Sequence, residues 1–108
     1  MSDVLLVLGQ VAPSATTLTD AYTAPTGTTV STINVCNTSS TVQDSFRISV
    51  AVAGAADNIK QYLFYDVPLK PNASFAATIG ATLAVTDKIR VRSLSGTCSF
   101  NIFGVQVT

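Results

Sequence analysis

The sequence predicts an all-β fold, an antiparallel β-sandwich of about eight strands, from its punctuation, its alternation and its lack of helical period. Gly, Pro, Asn, Asp or Ser breaks the chain about every 8–12 residues, the spacing of strands and turns in a sandwich or barrel. Between the breaks, apolar and polar residues alternate with a period of two. Nowhere do apolar residues recur over a useful length at helical spacing. The 108 residues fit one domain, 1–108, large enough to bury a core without disulfide or metal support. Jelly-roll and immunoglobulin-like connectivities both satisfy this pattern, because strand order is not a local property.

The first expected strand is VLLVLG at 4–9, and residues 1–15 are a candidate arm or edge strand for assembly. A Thr-rich strand at 16–22 runs into the turn Ala24-Pro25-Thr26-Gly27, where Pro25 fixes φ and Gly27 tolerates positive φ. TTVSTINVCN at 28–37 is rich in β-branched residues, with Ile33 and Val35 on one face and Thr32, Asn34 and Cys36 on the other. FRISVAV at 46–52 alternates most plainly and places Phe46, Ile48, Val50 and Val52 together. After a loop at 53–58, KQYLFYDVPL at 60–69 is apolar on both faces. Strict alternation puts Leu63, Tyr65 and Val67 on one face and Tyr62 and Phe64 on the other. A strand apolar on both sides is expected to be covered from outside its own sandwich or to lie at an assembly contact. Pro68 requires that it end there or lie at an edge. Lys70-Pro71-Asn72 turns the chain, and Phe75, Ala77 and Ile79 alternate up to Gly80. A turn near Thr86-Asp87 precedes KIRVR at 88–92, a strand with one wet face. In the closing run 98–107 the apolar phase slips from Cys98/Phe100/Ile102 to Phe103/Val105/Val107 beside Gly104, the pattern of a β-bulge.

Composition narrows the function. Hydrophobic residues make up 47% of the chain and charged residues 11%, against roughly 25% charged in an ordinary domain. The longest apolar run, VLLVL at 4–8, is far short of the ~20 residues that span a bilayer, and it lacks a basic leader and cleavage site. A soluble chain that stays where it is made, with no membrane partner, is the expectation. So few charges leave little to keep copies apart in water, which favours a homo-oligomer or a larger assembly. A Thr/Ser-coated monomer is the alternative. The formal net charge is zero, so no nucleic-acid partner is indicated. Cys36 and Cys98 lie inside strands without a secretory signal, a setting that favours buried thiols over a disulfide.

The chain has neither His nor Glu, which removes Ser–His and Cys–His nucleophiles. Its six acids are all Asp, mostly at turns. Asp66 alone interrupts an apolar strand, and it reads as a partner for Arg47, Arg90 or Arg92 rather than as a buried acid. No cofactor or metal is implied, and the chain is not expected to be an enzyme. The cations Lys88, Arg90 and Arg92 mark a solvated strand face or guards against edge pairing. The aromatics Tyr62 and Phe64, with Arg90 and Arg92, are the candidate interface residues, since aromatic and Arg side chains anchor buried contacts.

Seven segments in order resemble a known group: LGQ at 8–10, LTDAYTAPTGT at 18–28, TINVCN at 32–37, FRISVAV at 46–52, KQYLFYDVPL at 60–69, LAVTDKIRV at 83–91 and FNIFGVQV at 100–107. Together they resemble small β-sandwich virion structural proteins of tailed bacteriophages. The resemblance implies a decoration or cement protein on the head surface, bound to the major capsid protein and clustered as a trimer. A small tail, baseplate or fibre module that meets the host surface is the second role it implies.

Overall fold

The structure is a computed structural model and describes residues 3–107. Eight strands form in chain order: β1 (Asp3–Val11), β2 (Thr19–Thr23), β3 (Thr28–Asn37), β4 (Asp44–Ala51), β5 (Tyr62–Leu69), β6 (Ser74–Leu83), β7 (Lys88–Ser93) and β8 (Cys98–Val107). Two four-stranded antiparallel sheets pack face to face, ordered β1-β8-β3-β6 (sheet A) and β2-β7-β4-β5 (sheet B). The pairs β4–β5, β3–β6, β2–β7 and β1–β8 are those of one long hairpin, β1–β4 against β5–β8, rolled so that β8 meets β3 and β7 meets β4. That is jelly-roll connectivity, and it resolves the choice left open by the sequence.

Alternation explains the core. Val30, Ile33 and Val35 from β3, Phe46 and Ile48 from β4, Ile89 and Val91 from β7, and Phe100 and Ile102 from β8 are fully buried between the sheets. Phe46 is the hub of one end. Its ring centroid lies 5.5 Å from Phe75, 6.2 Å from Phe100 and 6.3 Å from Phe64. Val50 packs against this core as expected, whereas Val52 leaves β4 in a 3₁₀ turn (Val52–Gly54) and is 69% exposed.

Several local expectations change. The 60–69 run starts as a strand only at Tyr62, because Asn58 caps a 3₁₀ turn over Ile59–Gln61. Strand β6 continues through Gly80, with φ +60°, to Leu83. Gly27 does not use its freedom of positive φ. The phase slip near Gly104 is not a bulge in β8. Cys98, Phe100, Ile102 and Gly104 keep one buried phase, and Phe103 points outward. The extra residues lie in the strands on either side, between Val7 and Gly9 of β1 and between Val30 and Thr32 of β3. Gly104 is required there by close approach: a Cβ would stand 2.2 Å from the Thr29 carbonyl oxygen.

Cys36 and Cys98 are free thiols. Their strands are neighbours, but Cys98 pairs with Asn37 and Cys36 with Ser99, so the two side chains leave opposite faces of sheet A. Burial, then the Asp44 carboxylate, pushes the Cys98 thiol up to about 12.

Candidate assembly surfaces

The topology sorts the charges. Among the described residues, Asp3 is the one charged residue in the four strands of sheet A, whereas sheet B carries Asp20, Asp44, Arg47, Asp66, Lys88, Arg90 and Arg92. The two outer faces therefore differ in kind.

Outside sheet B, the cations are held by two carboxylates. Asp20 accepts from Lys88 Nζ at 3.1 Å and from Arg90 Nε at 3.0 Å. Asp66 accepts from Arg47 Nε at 2.6 Å and Nη2 at 3.1 Å, and Arg92 lies 3.9 Å away. Hydrogen bonds from Arg47 hold the Asp66 carboxyl below its ordinary value, and those from Arg90 and Lys88 do the same for Asp20. Asp66 is thus an exposed ion-pair partner, as its setting suggested.

The four candidate interface residues lie on this sheet and do not form one patch. Arg90 also donates to the carbonyls of Ala55 (2.6 Å) and Gly54 (3.1 Å), which commits its guanidinium to pinning the β4–β5 loop. Arg92 sits near Asp66 on the same outer face.

Tyr62 and Phe64 fall on opposite faces, against the strict alternation read from the sequence. Ile48 pairs with Phe64 and Ser49 with Tyr62, so Leu63 is an extra residue. Phe46 pairs with Val67, which makes a second irregularity at Tyr65-Asp66, where Asp66 has φ +52°. Phe64, Val67 and Leu69 consequently face the core, and Tyr62, Tyr65 and Asp66 face out. Tyr62 donates to Asp57 at 2.9 Å and stands edge-on to Tyr65 at 5.0 Å, while the Arg47 guanidinium lies 4.0 Å from the Tyr65 ring centroid. Strand β5 is an edge of sheet B, consistent with Pro68. Among the described residues of the chain nothing covers its outer side, where Leu63 and Tyr65 are exposed.

This division gives a direct prediction. Phe64→Ser is expected to destabilise the fold by about 2–4 kcal/mol, as removal of a core-packed ring does. Tyr62→Ser is expected to cost under about 1 kcal/mol, because it faces outward. Urea unfolding of the two single variants measures the difference.

Outside sheet A, β3 and β6 place Thr32 opposite Thr78, Asn34 opposite Ala76 and Cys36 opposite Ser74. Gln10 Nε2 donates to Asn101 at 2.8 Å across β1 and β8. Toward one end this face becomes apolar, with Leu5, Val7 and Phe103 exposed and Asp3 its one charge. Sequence reasoning did not single out this face, because its residues come from four strands that are not consecutive in the chain. No protein-family model matches the chain, and no curated protein matches it. The fold and its surfaces define a jelly-roll domain with one charge-laddered face and one nearly uncharged face.

Proposed function

We propose that this chain is a non-enzymatic structural protein of a virus particle, a capsid decoration or cement protein that braces a tailed-phage head by binding the major capsid protein. The observation that carries the reading is the outer face of sheet A. Four strands about 4.8 Å apart and about ten residues long present on the order of 600 Å², close to the ~800 Å² that each partner contributes to a standard interface. A face whose one charge, Asp3, lies at its end can be covered with little stranding of ions, whose desolvation is costly. Jelly rolls occur in capsid proteins and in lectins, so the fold alone does not choose the role. The ordered resemblance to small virion proteins adds the particle.

A tail, baseplate or fibre module is favoured by one other observation, the outward cluster of Tyr62, Tyr65 and Arg47, which offers aromatic faces beside a cation. A glycan array separates the two readings. Binding abolished by Tyr65→Ala supports the host-contact role.

For the leading reading, the test is co-sedimentation of purified protein with head shells that lack it. Wild type is expected to bind stoichiometrically. Thr78→Arg, which puts a cation on the exposed sheet-A face, is expected to weaken binding at least tenfold, while Leu63→Arg on β5 leaves it unchanged. Unimpaired binding by Thr78→Arg removes this face as the contact.

A further inference from the structure

We infer that the outer edge of β1 is a self-pairing site, at which a second copy of this chain adds its own β1 antiparallel across a two-fold axis. Four sheet edges exist, and three are blunted. β2 is five residues long, carries Asp20 and loses register between Asp20 and Tyr22. β5 has Pro68 and positive φ at Asp66. β6 is interrupted where Gly80 takes φ +60° and its register with β3 shifts. These are the devices by which natural sheets prevent edge-to-edge association.

β1 carries Asp3 at its start and shifts register after Val7, but from Val4 to Val7 it has none of these devices and runs in unbroken register with β8. Val4, Leu5, Leu6 and Val7 are 42%, 82%, 37% and 47% exposed. Consecutive strand residues point to opposite faces, so this half of β1 is uncovered on both. The other half is closed: at Gly9 a Cβ would stand 2.4 Å from the Ala21 carbonyl oxygen, which shows β2 pressed against it.

The occupant follows from shape and charge. An edge with free backbone groups takes an extended strand, and this chain's other three edges are unsuited to it, which leaves β1 of a second copy. A two-fold normal to the sheet keeps outer faces together, so residues on the same face must be opposite one another. Centred on Leu6, it sets Leu6 against Leu6 and Leu5 against Val7, all apolar, and keeps the two Asp3 carboxylates apart. With Phe103 of β8 alongside, each copy offers a few hundred Å² of apolar surface, the size at which an exposed patch marks a contact. Doubling that area and adding the strand backbones approaches the roughly 1,200 Å² lower limit of a specific interface. The joint is a dimer, unlike the three-fold cluster implied by the resemblance, and it stands independently of the virion reading.

Sedimentation equilibrium of the purified full chain tests it without particles. The expected result is a dimer, with amides of residues 4–7 gaining hydrogen-exchange protection as concentration rises. Leu5→Lys puts an ammonium on the most exposed position of the edge, and the charge occurs twice in the pair. It is expected to raise the dissociation constant about 30-fold or more, with circular dichroism and melting temperature of the monomer retained. Leu63→Lys on the β5 edge is expected to leave the dimer intact. A monomer at all accessible concentrations, a trimer, or a dimer indifferent to Leu5→Lys would each overturn the inference.

Discussion

Asp44→Asn is expected to be among the most damaging single-atom-scale changes in this protein, lowering stability by about 3 kcal/mol or more. Asp44 is 2% exposed and accepts from every donor of the β7–β8 turn that reaches it. Those donors are the Ser95 N–H at 2.7 Å, the Thr97 N–H at 3.2 Å, the Thr97 hydroxyl at 3.1 Å and the Ser93 hydroxyl, joined by the Ser45 N–H at 2.7 Å. An asparagine turns one oxygen into an NH₂ group that faces N–H and O–H donors. The lost acceptor leaves buried donors unpaired, which costs more than the bond itself.

The same carboxylate sets a pH dependence. Burial alone would raise its pKa, but the hydrogen bonds from Ser93, Ser95 and Ser45 outweigh burial and hold the carboxyl well below its ordinary value. Below roughly pH 4 the unfolded chain takes up the proton more readily than the folded one, so stability is full above that pH and falls as the solution becomes more acid. Wild type is expected to lose melting temperature between pH 5 and pH 3 on the order of that carboxylate window. Asp44→Asn is expected to show a shallower slope. Some slope persists in the variant, because Asp20, Asp66 and Asp87 are shifted in the same direction. Equal slopes in both proteins would remove Asp44 as the source.

Phe46→Ala is expected to cost about 3–5 kcal/mol, the range for truncating a buried phenylalanine. Its ring touches Phe64 within sheet B and Phe75 and Phe100 across the sandwich, so one deletion loosens both sheets at once. Since 1 kcal/mol shifts the melting temperature of a domain this size by about 4–8 °C, the variant is expected to melt at least ~12 °C lower. Calorimetry measures this, and a drop under ~4 °C would contradict the hub role of Phe46.

These two residues also show what a sequence discloses. Phe46 was legible as core, because 46–50 alternates over a half-polar strand and only one phase is apolar. Asp44 was one acid among several at turns, and nothing local marks it as the acceptor for a loop about fifty residues away. β5 misled for a related reason. With both phases apolar, its alternation carries no information about which side faces in, and two irregularities set by pairing with β4 decide it. The slip at Gly104 was visible, but its cause lay in the neighbouring strands, where β1 and β3 each add a residue. The uncharged face was hidden most completely. Charge is scarce throughout the sequence, and only the strand order reveals that every charge within a described strand except Asp3 belongs to sheet B.

The proposed decoration role requires this chain to cover the surface of a particle in many copies. Its copy number in purified virions, measured against the major capsid protein by quantitative mass spectrometry, tests that claim most directly. A decoration role predicts copies comparable to the capsid protein. A handful per particle would move the chain to the tail or a vertex, and complete absence from virions would contradict the account.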